Sequence, residues 1–141
     1  MKINIIYWSG TGNTEAMAGF IKEGAEKQGA DILLKNVSEA SLSDIECDVL
    51  CLGCPAMDDE VLEETEFEPF MVSAEGSLQG RKLALFGSYG WGDGQWMRDW
   101  EERMRKAGAD LTCESLITVE MPEGDECRTF GEKIAGENSS L

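Results

Sequence analysis

Histidine is absent from this 141-residue chain, and with it the side chain that most often acts as a general base near neutral pH and binds metals. Proton-transfer and zinc enzymes are therefore disfavoured. Basic residues are scarce as well: 12 Lys and Arg stand against 28 Asp and Glu, which gives a formal charge of −16. This excess of acid disfavours nucleic acid and anionic membranes as partners and favours basic proteins.

Long apolar runs are also missing. No stretch approaches the roughly 20 apolar residues that cross a bilayer, and the first residues have the pattern of a strand rather than of a signal peptide. We therefore expect a cytoplasmic protein. The length predicts one domain over residues 1–141.

The five cysteines are an odd number, so a disulfide framework is not expected. Cys51 and Cys54 have the spacing of a redox motif, but they end an apolar run and lack the flanking pattern of thioredoxins. No second cysteine pair completes a zinc site. We predict that Cys51 is buried as a small apolar residue, and we predict no metal site.

A hydroxyl- and glycine-rich turn, Ser9-Gly10-Thr11-Gly12-Asn13-Thr14, lies between a predicted strand and an apolar pattern of helical spacing. A helix start presents unpaired N–H groups and the positive end of the helix dipole, which bind phosphate without a basic side chain. No Lys or Arg occurs between Lys2 and Lys22. The turn therefore predicts a phosphate cradle.

Two commoner phosphate loops do not match this turn. A Walker A loop needs Gly-Lys-Ser/Thr where the chain has Gly12-Asn13-Thr14, and the dinucleotide fingerprint needs a third glycine where it has Glu15. An ordinary capped helix start is the alternative for the turn taken by itself.

Apolar runs alternate with helical patterns along the whole chain. After the first strand we predict strands at 32–37, 49–52, 83–86 and 111–119, a short helix near 42–46, and helices through 96–107 and 127–134. Five strands alternating with helices indicate a three-layer α/β fold with a parallel sheet.

In a parallel sheet, the loops that leave the carboxyl ends of the strands share one edge. Three unusual loops meet there: residues 9–14, 54–60 and 88–94. Trp91 lies among glycines with little helix or strand face to bury it, so we predict that a planar aromatic ligand stacks on it. Met57 would contact the opposite face of that ligand.

Three segments, Trp8–Glu15, Ala56–Glu64 and Leu85–Gly94, together resemble the flavodoxins, and the short-chain clostridial type matches nearly the whole chain. The resemblance implies a sheet of order 2-1-3-4-5 and non-covalently bound FMN. It implies a low-potential one-electron carrier, rather than an enzyme, that passes electrons between reductases and acceptors. A monomer with basic redox partners is expected.

The resemblance also implies roles for single residues. The 5′-phosphate would be held by Ser9, Gly10, Thr11, Gly12, Asn13 and Thr14, and the ribityl chain would run along Ala56 and Ser88. Met57 and Trp91 would sandwich the ring, and the backbone of Asp58 and Asp59 would face N5. Glu60 would accept from N3–H. Tyr89, Gly90 and Gly92 would frame the pyrimidine end, and Asp93 is included among the cofactor-binding residues.

Two residues depart from the pattern of these relatives. Pro55 stands where they carry Ser, which removes a hydroxyl and a backbone donor. Asp58 stands where they carry Gly, and a side chain there should resist the positive-φ backbone that accompanies flavin reduction. We therefore expect Asp58 to lower the potential of the first reduction step.

Two other functions are compared with this one. A phospho-signalling receiver needs an acidic pair after the first strand and a phosphoacceptor Asp after the third. This chain has Trp8-Ser9 and Gly53-Cys54 at those places, so it lacks the residues for receiver chemistry. A small FMN-dependent reductase acting on a quinone-like substrate is the alternative. It would need an open cavity over the flavin and would show NADPH-dependent turnover by itself.

Overall fold

The computed structural model describes residues 1–57, 60–90 and 92–139. Its strands are β1 (Lys2–Tyr7), β2 (Asp31–Asn36), β3 (Val49–Gly53), β4 (Lys82–Tyr89), β5 (Asp110–Leu111) and β6 (Leu116–Val119). Its helices are α1 (Asn13–Lys27), α2 (Phe67–Ala74), α3 (Gln95–Lys106) and α4 (Gly124–Ser139). Within these ranges no helix combines the length and the apolar character needed to cross a membrane.

The strands form a parallel sheet in which β1 lies between β2 and β3. β1 pairs with β2 on one side and β3 on the other, so Ile5 lies opposite both Leu34 and Cys51. β3 then pairs with β4, and β4 with β5 and β6. The order β2-β1-β3-β4-β5 confirms the predicted topology.

The fifth strand position differs from the single run predicted over 111–119. It is built in two parts: β5 pairs with Lys82 and Leu83, whereas β6 pairs with residues 86–89. Between the parts, Ser115 donates from its hydroxyl to the Glu101 carboxylate at 2.6 Å. This hydrogen bond holds Ser115, within the break between β5 and β6, against α3. The strand-like composition of residues 111–119 did not predict the break.

The crossover from β2 to β3 contains the predicted short helix, which is a 3₁₀ helix at Leu42–Ile45. The Asp44 carboxylate accepts from the backbone N–H of Ser41 at 2.9 Å and from the Lys35 ammonium at 3.0 Å. Such caps suit short turns, in which few backbone groups find partners inside the helix.

Two apolar layers cover the two faces of the sheet. Because successive side chains of a strand point to opposite faces, Ile6 and Leu52 pack with the helices α2 and α3, whereas Ile5 and Cys51 pack with α1 and α4. Trp96 and Trp100 are both buried in the first layer, as their helical spacing predicted. The core therefore supports the carboxyl edge of the sheet from both sides.

The helices α1 and α4 touch through their backbones. A Cβ atom on Gly24 would lie 1.9 Å from the carbonyl oxygen of Arg128, and one on Gly131 would lie 2.1 Å from that of Ile21. These distances leave no room for a side chain. Glycine at both positions is what allows this close approach.

Candidate functional site

A cavity of ≈530 Å³ opens at the carboxyl edge of the sheet, where the loops after β1, β3, β4 and β6 meet. Its lining residues are Trp8, Gly10, Thr11, Asn13, Pro55, Ala56, Met57, Ser88, Tyr89, Gly90, Glu120 and Met121. Cofactor and small-molecule sites typically enclose about 300–1,000 Å³. The first three loops were predicted to share this edge, and the fourth was not.

The first loop is shaped by Ser9. Its hydroxyl oxygen accepts from the backbone N–H of Gly12 at 3.1 Å and from that of Glu15 at 3.2 Å. Gly12 adopts φ 98°, a left-handed conformation that glycine accepts readily, and α1 begins at the next residue. A hydroxyl that accepts two bonds still has its own O–H to donate. Ser9 thus holds the turn, while Thr11 and Asn13 line the cavity.

Thr14 and Ser88 form a buried hydroxyl pair. Their Oγ atoms lie 3.2 Å apart, and the two residues are 1% and 5% exposed. The pair joins the first turn of α1 to the end of β4 across 74 residues of sequence. Ser88 lines the cavity, whereas Thr14 is not among the lining residues. Thr14 therefore lies behind Ser88, and its hydroxyl group holds the Ser88 hydroxyl in place.

Trp8 forms part of the cavity wall, a role that the sequence did not predict. A Cβ atom on Gly10 would lie 2.9 Å from the indole Cη2 of Trp8, so the indole packs over the turn only because residue 10 is glycine. The indole N–H donates to a carboxylate oxygen of Glu66 at 3.2 Å. A tryptophan directly before a glycine-rich turn was the signal available in the sequence.

The second loop is fixed by backbone hydrogen bonds. The N–H of Ala56 donates to the carbonyl of Ser88 at 3.0 Å, which extends the pairing of β3 with β4 into the loop. Met57 donates from its N–H to the carbonyl of Val61 at 3.0 Å, and its own carbonyl accepts from the N–H of Glu60 at 2.8 Å. The backbone of Met57, which lines the cavity, is therefore hydrogen-bonded through both its N–H and its carbonyl.

Glu60 presents a buried oxygen without a partner. Among the described residues nothing hydrogen-bonds to its Oε1, and a Cβ atom on Gly92 would lie only 2.5 Å from that oxygen. The backbone of Glu60 is left-handed, with φ 53°. A buried acceptor without a donor is costly, so this carboxylate is suited to a ligand that brings an N–H group.

The third loop contributes backbone and one aromatic ring. Tyr89 and Gly90 line the cavity, and the Tyr89 ring lies 5.4 Å from that of Trp96. Asp93 is not among the lining residues, because its carboxylate pairs with the Arg98 guanidinium at 3.0 Å. Three of the predicted residues, Asp58, Asp59 and Trp91, lie outside the described residues.

The fourth loop, after β6, was missed by the sequence analysis. Glu120 and Met121 both line the cavity, and the N–H of Glu120 donates to the carbonyl of Tyr89 at 2.7 Å. Glu120 has φ 52°. The rule that all parallel strands end at one edge applies to the fifth strand as well, and that rule was the signal that could have found these residues.

The acidic stretch from 58 to 68 is not a uniform charged surface. Glu63 is 4% exposed, and its carboxylate accepts from the backbone N–H groups of Thr65, Glu66 and Phe67 at 2.8, 2.8 and 2.9 Å. Burial alone would raise the pKa of Glu63, but the hydrogen bond from the Thr65 hydroxyl and these three backbone hydrogen bonds together lower it. Glu63 is therefore a cap for the start of α2, and only neighbours such as Glu64 and Glu66 are exposed.

The two cysteines with redox-motif spacing are buried. Cys51 is 0% exposed, and burial raises the pKa of its thiol well above the usual value. Burial likewise raises the pKa of Cys54 to about 12, and its sulfur accepts from the N–H of Glu63 at 3.4 Å. Thiols with raised pKa values are poor nucleophiles and metal ligands, which confirms the prediction that Cys51 packs in the core.

A doubly wound sheet of order 2-1-3-4-5, with a phosphate-type turn after β1, defines the flavodoxin-like class of α/β proteins. The family model described as Flavodoxin matches residues 5–134. The chain is 51% identical over 136 residues to the flavodoxin of Clostridium beijerinckii, covering 94% of this chain and 99% of that protein. It is 43% identical over 135 residues to the flavodoxin of Megasphaera elsdenii, covering 94% and 98%.

Solved structures agree with these matches. The solution structure of two-electron reduced Megasphaera elsdenii flavodoxin superposes with a TM-score of 0.87, at 43% identity, over 95% of this chain and 98% of that one. A flavodoxin from the domain Archaea gives a TM-score of 0.88 at 28% identity, covering 98% and 99%. The chain belongs to the flavodoxin family and is of the short-chain clostridial type.

The chain is accordingly an FMN-binding electron carrier rather than an enzyme, and the comparisons do not favour the quinone reductase. Two observations in the structure fit FMN. The turn before α1 opens on the cavity next to buried hydroxyl groups, as a phosphate ester requires. The unpartnered oxygen of Glu60 matches an imide N–H.

Proposed function

We propose that the cavity at the carboxyl edge holds FMN and that residues 9–14 bind its phosphate. The observation that supports this most directly is the turn itself. Ser9 fixes its backbone at the start of α1 through two hydrogen bonds, and residues of the same turn line the cavity. Thr11 and Asn13 line the cavity beside the helix start, where the dipole favours an anion. Among the described lining residues none is Lys or Arg, so backbone and hydroxyl groups carry this recognition.

The ring of the cofactor would lie against the second and third loops. Ala56 and Ser88, joined by a backbone hydrogen bond, would flank the ribityl chain, and Met57 would contact the ring. Glu60 would accept from N3–H, which satisfies its buried oxygen. Tyr89, Gly90 and Gly92 would surround the pyrimidine end. The contacts assigned to Asp58, Asp59, Trp91 and Asp93 stay predictions.

When bound, FMN supplies the capacity to take up and release single electrons. The protein sets the energy of those steps by the groups it places around the ring. Glu120 lines the cavity, and Glu60 would add a second negative charge beside the ring, while no Lys or Arg stands among the described lining residues. Negative surroundings disfavour added negative charge, so these residues would keep the potential of the last reduction step low.

We further propose basic redox proteins as partners, because the chain carries a formal charge of −16 and Glu64 and Glu66 are exposed near the site. A single domain over residues 1–141, a monomeric state and a cytoplasmic location stay predictions.

Fluorescence titration of the apoprotein with FMN and with riboflavin tests the phosphate assignment. FMN should bind much more tightly, and Thr11→Ala should weaken FMN binding by on the order of 1.5–3 kcal/mol if its hydroxyl bonds the phosphate. Thr129→Ala is the matched control, since Thr129 is an exposed threonine on α4, away from the cavity lining. Equal affinity for the two flavins would overturn the assignment.

A further inference from the structure

Met121 is the most exposed large apolar side chain among the described residues. It is 80% exposed, compared with 63% for Val72 and 48% for Leu42. Single exposed apolar residues are common on protein surfaces and need no explanation. Met121 differs from the other two because it lines the cavity at the carboxyl edge, whereas Val72 and Leu42 do not.

The backbone around Met121 is held in place. The preceding residue, Glu120, has a left-handed φ of 52° and donates from its N–H to the carbonyl of Tyr89 at 2.7 Å. This hydrogen bond ties the turn after β6 to the third loop of the site. Met121 therefore sits at a fixed position beside Tyr89 and Gly90 rather than on an unattached loop.

We propose that Met121 contacts the cofactor: the thioether side chain covers an apolar edge of the bound flavin ring, and FMN in turn buries Met121. This inference rests on the proposed function. A methionine suits the role because its flexible, polarizable side chain makes favourable contacts with the edges of aromatic rings. Covering the ring also removes apolar surface of both partners from water. Met121 thus joins Met57 as a second thioether on the cavity wall.

Peroxide labelling measures whether the cofactor buries the sulfur. Hydrogen peroxide transfers one oxygen atom to the thioether, which gives the sulfoxide and water, so the sulfur loses two electrons and the peroxide gains them. We would follow the oxidation of each methionine by peptide mass spectrometry, in the dark, in apoprotein and in FMN-saturated protein.

The expected result is that FMN slows the oxidation of Met121 several-fold and leaves Met1 unchanged. Met1 is the internal control: it is half-buried, and it lies at the opposite end of β1, where its carbonyl accepts from the N–H of Asp31. Bound FMN is quantified in the same samples. Failure to bind FMN would overturn the proposed function, whereas full binding with an unchanged Met121 rate would overturn this inference alone.

Substitutions test the contribution of the contact to affinity. Met121→Gln should weaken FMN binding about five- to tenfold, because it places a polar amide against the apolar ring edge, and Met121→Leu should stay within about twofold. Val72→Gln, at an exposed apolar position on α2, is the matched control and should not alter affinity. The melting temperatures of Met121→Gln and Val72→Gln show whether both variants are folded. If both are, and Met121→Gln binds FMN as tightly as the wild type, the proposed contact is contradicted.

Discussion

The α1–α4 layer and the carboxyl edge of the sheet are stabilised in opposite ways. In the layer, glycines bring two helix backbones into contact and apolar side chains fill the remaining space. At the edge, polar groups are buried instead: Thr14, Ser88 and Glu63 are each at most 5% exposed and all hydrogen-bonded. The layer is therefore sensitive to added volume, and the edge to the loss of an acceptor or donor.

The largest effect is expected from Gly24→Ala. The added methyl group would lie 1.9 Å from a backbone carbonyl of α4, which cannot rotate away, so we expect a loss of about 3 kcal/mol in the free energy of unfolding. Gly19→Ala is the control on the same helix, since nothing lies within 4 Å of its added Cβ. It should stabilise the protein by about 0.5–1 kcal/mol. Urea denaturation that shows equal effects for the two would contradict the close packing.

The second effect concerns the cap at Glu63. Glu63→Gln keeps one carbonyl oxygen but removes the other acceptor, so at least one buried N–H loses its partner and stability should fall by about 2 kcal/mol. Glu64→Gln, at the exposed neighbouring position, should change stability little. If both variants unfold at the same urea concentration, Glu63 does not act as a cap.

The cap also predicts a pH dependence. The folded pKa of Glu63 lies below its usual value of 4.5, so its contribution is complete above about pH 4.5 and is lost as the pH falls through the folded pKa. Glu63→Gln should lack this part of the acid destabilisation. Wild type and variant should therefore converge in stability as the pH falls from 4.5 through the folded pKa, as measured by urea denaturation over a pH series. A stability gap that does not narrow before the wild type unfolds in acid would contradict the role of the ionised carboxylate.

The third effect is electrostatic. At the proposed contact with N3–H, Glu60→Gln keeps an acceptor but removes a negative charge, so the potential of the last reduction step should rise by roughly 40 mV, which corresponds to about 1 kcal/mol for one electron. Redox titration would measure it. Glu46→Gln removes an exposed charge from the segment before β3, whereas Glu60 follows β3, so this control should leave the potential within a few mV. An unchanged potential in Glu60→Gln would contradict the proposal that this carboxylate lies beside the flavin.

The smallest effect concerns partner docking. Glu64→Lys should lower the rate of electron transfer to a basic reductase about two- to threefold at low salt, and this difference should vanish at high ionic strength. Glu26→Lys, an exposed position on α1, provides the matched charge change. Stopped-flow rates that respond equally to the two substitutions would indicate a net-charge effect rather than steering to the site. Glu63 is unsuitable for this test, because reversing its charge would remove the cap.

Periodicity and loop composition predicted much of the architecture. The spacing of Trp96 and Trp100 predicted α3 and their burial, and the turn at 9–14 predicted the start of α1. Sequence patterns failed where the hydrogen bonds of single side chains decide the local structure. Glu63 belongs to an acidic run, and its role as a cap depends on the chain folding back over its carboxylate.

The site shows the same division. The family resemblance assigned most of the residues near the cavity, but Trp8, Pro55, Glu120 and Met121 were not assigned as cofactor-binding residues. Trp8 depends on its packing against Gly10, and Met121 depends on the hydrogen bond between Glu120 and Tyr89. Both are contacts of the folded chain that the spacing of the residues does not specify.

The divided fifth strand has a consequence for self-association. An edge strand offers unpaired backbone groups on which another chain can build by strand addition. Here that edge consists of β5, with two residues, and β6, with four, separated by residues 112–115. A second chain would therefore find at most four consecutive residues to pair with, fewer than the usual strand length of about 5–6 residues. The interruption thus protects this edge of the sheet against the edge-to-edge pairing from which aggregates grow.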